Sequence, residues 1–256
     1  MIYAPETFHV LTFLKAREGA DPVEAVRAFK AATAPGSAGR WIYAGKAVFN
    51  VPSRQIEQAE WSAVTLVQYP SRADFERERT LAAYQASLDR FEAHYEQGAR
   101  RPVIRNLLIP QLMLVRRIHA ALAGEPSTYP FQPHAALPEQ VRRTQEKLRA
   151  ESELGRRAAV VVNLQLKGDE RMQAADRRYT RPMTALMGRR GYGPMHVARA
   201  ETIPGGAKFD QVVIVYYPGT NYFADMIGST FYQRILSDKT LADNQSTMTA
   251  PILNRL

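Results

Sequence analysis

The chain has 256 residues, an apolar fraction of 45% and a formal net charge of +9, a length that holds one large domain or two small ones. No apolar run approaches the ~18 residues that span a bilayer, and the opening Met1-Ile-Tyr-Ala-Pro-Glu-Thr has no basic segment leading into an apolar one, so neither a membrane partner nor a secretory signal is expected. Cysteine is absent, which excludes disulfides, thiolate nucleophiles and Cys-ligated metal clusters and makes a cytoplasmic location the expectation.

In chain order, residues 9–15 read as an apolar-rich strand. Asp21-Pro22 opens a helix with Val23, Ala25, Val26 and Phe29 as its apolar positions, and Pro35-Gly36-Ser37 stops it. Residues 40–49, rich in aromatic and β-branched side chains, predict a second strand and 62–69 a third. Pro70 ends that strand, and Ser71 with Asp74 resembles a capping box for one long helix to about Gly98. Residues 103–108 predict a fourth strand. The order then repeats: a strand at 158–167, a helix at 169–190 closed by Gly191, a strand at 195–203, the turn Pro204-Gly205-Gly206, a strand at 211–217, a helix at 221–238 and a last strand at 252–256.

The repetition is visible in the residues. Trp61-Ser-Ala-Val64-Thr-Leu-Val67-Gln-Tyr69-Pro70 returns 148 positions later as Phe209-Asp-Gln-Val212-Val-Ile-Val215-Tyr-Tyr217-Pro218. Without a gap, Phe75, Tyr84, Gln85, Leu88 and Gln97 also recur, at Phe223, Tyr232, Gln233, Leu236 and Gln245. That is nine identities between 61 and 98, where background composition would give about two. The chain therefore reads as one module used twice. The order β-α-β-β-α-β is the ferredoxin-like unit, whose sheet is covered by helices on one face and needs a partner on the other. The expected fold is thus α+β, with two tandem ferredoxin-like repeats, 1–107 and 158–256, packed sheet to sheet. Residues 108–157 match neither copy. They hold a basic amphipathic stretch at 112–122, a loop with Pro126, Pro130, Pro133 and Pro138, and a charged helix to about Leu154. A tether and a lid over a pocket are the two readings of this insert.

Trp61, Val64, Val67, Tyr69, Pro70, Ser71, Arg72, Phe75, Tyr84 and Gln85 together resemble the uncharacterised family called domain of unknown function thirteen-thirty. Copy two departs from that pattern at Gly219-Thr220. The resemblance implies a dimeric α/β-barrel fold, in the superfamily of EthD-like proteins, NIPSNAP proteins, antibiotic-biosynthesis monooxygenases and chlorite dismutases. Such proteins usually carry one copy and pair between chains, so a tandem form implies a pseudo-dimer within the chain and leaves a homo-oligomer of whole chains open. The family supplies no catalytic residues to carry over. The signature's apolar strand, its terminating Pro and its helical aromatics read as the strand–helix joint of the fold.

Candidate chemistry lies elsewhere. Of five histidines, none are spaced to hold a metal, so no metal is expected. His196 and His9 are the choices for a general base, since imidazole titrates near neutrality. Haem is a minor alternative implied by the likeness to chlorite dismutases, with His196 the one histidine of copy two. Asn163 and Gln165 alternate with apolar residues on one strand. That period predicts both side chains, with Lys167, on the face between the sheets; the corresponding residues of copy one are Leu11, Phe13 and Lys15. Arg40, Trp41 and Tyr43, with Arg199 of copy two, are residues suited to a planar anion. Arg outnumbers Lys 27 to 7, but in ones and twos from Arg17 to Arg255, so a nucleic-acid partner is not indicated. No phosphate loop, nucleophile elbow or metalloprotease motif is present. The expected function is a small-molecule enzyme or binding protein for a hydrophobic, aromatic or acidic ligand, with oxygenase, isomerase or cyclase chemistry independent of a cofactor, in a pocket between sheet and helices. The competing reading is a non-enzymatic scaffold or interaction protein, with its pockets filled by side chains.

Overall fold

The computed structural model describes residues 6–57, 60–123 and 129–256; Met1–Pro5 and Pro126 of the predicted loop lie outside them. The first half runs β1 (Phe8–Lys15), α1 (Pro22–Thr33), β2 (Arg40–Val51), β3 (Ala63–Tyr69), α2 (Arg72–Arg79), α3 (Ala82–Leu88) and β4 (Ala93–Arg100). Two helices follow, α4 (Val103–Leu122) and α5 (Glu139–Ala150). The second half runs β5 (Ala159–Leu166), α6 (Glu170–Arg190), β6 (Pro194–Glu201), β7 (Gln211–Tyr217), α7 (Thr220–Ile227), α8 (Thr230–Leu236) and β8 (Asp243–Pro251).

The eight strands close into one antiparallel barrel in the order β1-β3-β2-β8-β5-β7-β6-β4. This is an α+β architecture, compatible with a dimeric α/β barrel. Around the barrel the first half is ordered β4-β1-β3-β2 and the second β8-β5-β7-β6, the same order in each. The two seams differ in length. β2 pairs β8 from Gly45↔Pro251 to Val51↔Ser246, whereas β4 meets β6 only from Gly98↔Glu201 to Arg100↔Arg199. Glu201 reinforces the short seam with an ion pair to Arg100 at 2.7 Å.

The strand period divides the side chains between two environments. Leu11, Phe13, Val64, Val162, Leu164 and Val212 fill the barrel interior, together with Trp61 and Phe209, the leading aromatics of the repeated signature. The outer faces carry separate helix-covered cores, one around Phe29, Tyr69, Phe75 and Tyr84 and one around Met183, Tyr217, Phe223 and Met248.

Local capping follows the sequence. Asp21 accepts from Val23 N and Ser71 from Asp74 N at the starts of α1 and α2, and Gly191 ends α6 at φ 72°, a left-handed conformation that glycine adopts without strain. The paired Tyr-Gln has a structural explanation. Gln85 Nε2 donates to Arg79 O at 2.6 Å and Gln233 Nε2 to Ile227 O at 2.7 Å, each satisfying the last carbonyl of the preceding short helix.

Three expectations need correction. Residues 103–108 and 252–256 are not strands: the first begins α4, the second holds a 3-10 turn at Leu253–Arg255, and the fourth strands are β4 and β8, which carry the recurring Gln97 and Gln245. The expected boundary at 107 therefore falls inside α4. Neither long signature helix is continuous; each is two short helices, broken at Thr80-Leu81 and Gly228-Ser229. Finally, Asn163 and Gln165 face the helices, not the barrel interior. In the first half Leu11 pairs Leu66; in the second Val162 pairs Ile214. Since 66 and 214 are equivalent, the counterparts of Asn163 and Gln165 are Thr12 and Leu14, one residue on from Leu11 and Phe13. A slip of one residue exchanges the faces of a strand.

Candidate ligand cavity

The helix-covered spaces of the two halves differ. In the second half a cavity of about 670 Å³ lies between the outer face of the sheet and α5, α6, α7 and α8. In the first half the corresponding space is about 10 Å³ and is occupied by Phe29, Trp41, Tyr69 and Tyr84. The cause can be read at equivalent positions. Tyr69 and Tyr84 donate their hydroxyls to the buried carboxylates Glu78, at 3.0 Å, and Glu96, at 2.5 Å. Ser37 secures Glu78 at 2.7 Å and Arg79 secures Glu96 at 2.7 Å. A further 148 residues on, Tyr217 and Tyr232 remain but Met226 and Asn244 replace the two glutamates. The polar lattice that closes the first space is absent, and the second stays open.

The cavity floor is sheet. Val161, Asn163 and Gln165 of β5 and Val213 and Val215 of β7 present alternate side chains to it. Asn163 is fixed by two neighbours: its Oδ1 accepts from Ser246 Oγ at 2.8 Å and its Nδ2 donates to Val213 O at 3.2 Å. Gln165 Oε1 accepts from Gln211 Nε2 at 2.5 Å. Asn244 Oδ1 is buried without a hydrogen-bond partner among the described residues, an acceptor that a bound donor would satisfy. The roof is α6. Asp176, Tyr179, Thr180, Met183 and Met187 line it at the i, i+3, i+4, i+7, i+11 spacing of one helix face. From the inter-repeat segment, α5 contributes Gln140, Val141 and Thr144 to the wall and is tied to α7 by Gln145 Nε2 donating to Ala224 O at 2.8 Å.

One end of the cavity carries titratable groups. Burial raises the Asp176 carboxyl above its usual range, against the opposing pull of Lys239, Thr180 and Lys167. Burial, and then Tyr232, raise Tyr179 well above an ordinary phenol. The Lys239 ammonium lies 5.9 Å from the Tyr179 ring centroid. A carboxylate made more basic by an apolar surrounding, beside phenol donors and a cation, is a set that can accept a proton and hold the resulting anion.

Of the residues expected from sequence, Asn163 and Gln165 line this cavity. The others are placed elsewhere. His9 and His196 meet in the barrel interior, their ring centroids 5.5 Å apart at 74°. Burial, and then the Arg101 charge, lower His9 to about 4 and His196 to about 3, so both are neutral at pH 7. Tyr43, also interior, donates to Thr249 Oγ1 at 2.5 Å, and Thr249 donates in turn to Val160 O. By strand register Tyr43 is the counterpart of His196, because both second strands skip one residue at a bulge. Trp41 packs edge-on against Phe29. Arg40 and Arg199 are exposed on β2 and β6. Sequence reasoning missed Asp176, Tyr179, Lys239 and Asn244. The Glu96-to-Asn244 exchange was visible in the ungapped comparison of the copies.

The haem alternative does not fit. The cavity lining contains no histidine, and His196 lies on the opposite side of the sheet, so the residue that would ligate iron does not reach the space that would hold the macrocycle. Among the described residues no cluster of His, Asp and Glu could hold a metal ion, and no helix is long and apolar enough to cross a membrane.

No family model and no curated protein matches the chain. Solved structures do. An anthrone oxidase-like protein is similar at 8% identity and a TM-score of 0.48, over 98% of this chain and 93% of its own. A variant of chlorite dismutase from Candidatus Nitrospira defluvii is similar at 9% identity and a TM-score of 0.45, over 97% and 93%. A candidate monooxygenase from Lactobacillus acidophilus NCFM is similar at 6% identity and a TM-score of 0.42, over 96% and 94%.

Proposed function

We propose that the chain is two ferredoxin-like βαββαβ units in tandem, in which the first is a filled scaffold and the second binds one apolar, ring-bearing small molecule. The observation that carries this reading is the difference between about 670 Å³ and about 10 Å³ in equivalent spaces of the two halves. Cavities of this size, apolar with a few convergent polar groups, are the usual form of a small-molecule site. Asn163, Gln165 and Asn244 orient the ligand; Met183, Met187 and Val213 exclude water from it.

The chemistry that suits these groups is proton transfer without a cofactor. Asp176 accepts a proton from a carbon or hydroxyl next to a carbonyl, and the Tyr179 and Tyr232 hydroxyls with Lys239 stabilise the anion left behind. Return of the proton to another carbon is isomerisation. Attack of the carbanion on dioxygen is the oxygenase outcome expected from the family resemblance. The open space in the second half supports this reading over a non-enzymatic scaffold or interaction protein, in which both spaces would be filled with side chains.

A thermal-shift screen of small aromatic acids and ketones tests the binding, because a ligand of the native state alone raises stability. Hits should lose their shift in Asn163→Ala while retaining it in Tyr43→Phe, and turnover of any hit should disappear in Asp176→Asn. A screen whose hits shift Asn163→Ala equally would place the ligand elsewhere.

A further inference from the structure

Among the described residues, exposed large apolar side chains concentrate on one face of α4. Of twelve large apolar side chains exposed among the described residues, eight belong to this helix. Its inner side is seated: a Cβ at Gly188 of α6 would stand 2.9 Å from Arg116 Cγ, and one at Gly193 would stand 3.1 Å from Met113 Cε, so small residues let α4 lie close against the roof of the cavity. The outer side is open. Ile104, Leu107, Leu108, Leu114, Val115 and Ile118 expose between 47% and 75% of their surface.

These six positions form a palindrome. They lie at −7, −4, −3, +3, +4 and +7 from Gln111, itself exposed. A two-fold axis through Gln111, with a second α4 running antiparallel, sets Ile104 against Ile118, Leu107 against Val115 and Leu108 against Leu114. A closed dimer needs such a self-complementary patch. Leu112 and Leu122, 62% and 85% exposed, extend it. Each aliphatic side chain carries roughly 100 Å² of apolar surface, so eight from each chain, on average more than half exposed, hide roughly 1,000 Å² in a pair, the size at which specific association begins. A patch of this extent on a lone molecule marks an interaction site. Gln111, at the axis, can both donate to and accept from its mate and so marks the register.

We propose that α4 is the interface of a symmetric homodimer, in which two antiparallel α4 helices pack about Gln111 and brace the α6 roofs of two ligand cavities. This stands independently of what the cavities bind. Residues 97–124 contain no acidic side chain, so the edges of the pair repel, and added salt strengthens the dimer by screening them.

The test uses the full chain. Sedimentation and light scattering at micromolar concentration should report a dimer, and Leu108→Glu with Val115→Glu should convert it to a monomer with unchanged circular dichroism. Since the chain has no cysteine, Gln111→Cys supplies a second readout: on oxidation it should give a disulfide-linked dimer, because the axis brings equivalent residues within bridging distance, whereas Glu146→Cys on α5 should not. A monomeric wild-type chain, a dimer that survives the double substitution, or Gln111→Cys no more cross-linked than Glu146→Cys would overturn the proposal. So would a monomer that binds vesicles of phosphatidylserine in a salt-sensitive way, which would assign the same face to an anionic membrane surface.

Discussion

Tyr84 and Tyr232 hold the same position in the two halves and do different work. Tyr84 donates to the buried Glu96 at 2.5 Å and plugs the space between sheet and helices. Tyr232 finds Asn244 where that glutamate would be and lines a cavity of about 670 Å³. One helix-covered space is thus filled and the other open, and the chemistry of the difference is the loss of a buried carboxylate–phenol network.

Matched substitutions test this asymmetry through stability. Val10 and Val161 are equivalent residues on β1 and β5, the first facing the filled space and the second the cavity. Val10→Phe should cost about 1–3 kcal/mol by overpacking. Val161→Phe should leave stability at or above that of wild type, as cavity-filling changes do. Urea unfolding of both variants gives the comparison, and equal losses would contradict it.

The Tyr-Gln of the repeated signature should prove structural in both halves. Gln85→Leu and Gln233→Leu each remove a side-chain bond to a terminal helix carbonyl, at a cost of about 1 kcal/mol. Thermal unfolding should show similar losses for the two, and only Gln233→Leu should also alter ligand affinity, since Gln233 borders the cavity.

The histidine pair predicts a pH dependence. Both imidazoles have folded pKa values near 4 and 3, below the ~6.5 of an unfolded chain. Below pH ~6.5 the unfolded state therefore binds more protons, so stability is retained above that pH and declines as pH falls toward 4, by about 1.4 kcal/mol per pH unit for each histidine. Denaturant unfolding from pH 7 to pH 4 should show this slope, and His9→Asn with His196→Asn should reduce it by close to two protons. An unchanged slope would mean that the pair is protonated in the folded chain.

The shared strand order of the two halves was legible because the signature residues Trp61, Tyr69, Phe75 and Tyr84 are bulky, buried and matched without gaps. Three things were hidden, each for a physical reason. β4 reads as polar, Ala-His-Tyr-Glu-Gln-Gly-Ala-Arg, because Glu96 and Gln97 are buried by partners on other elements. The β-branched and leucine-rich start of α4 resembles a strand until its contact with α6 is known. The halves are offset by 148 residues at the signature but by 151 at their first strands, so the first strands had no gapless match to fix their register, and pairing Asn163 and Gln165 with Leu11 and Phe13, one residue out, set them on the wrong face. The cavity itself is an absence of side-chain volume, and its only trace in the sequence is the replacement of Glu78 and Glu96 by Met226 and Asn244.

The central claim is that the second half alone is open to a ligand. Fluorescence titration with anilinonaphthalene sulfonate, an aromatic acid that brightens in apolar surroundings, tests it most directly. Wild type and Tyr43→Phe should bind one equivalent saturably, and Val161→Trp, with its ring in the cavity, should bind at least about tenfold more weakly, a difference of about 1.4 kcal/mol. Equal affinity in Val161→Trp, or no saturable binding by wild type, would contradict the account.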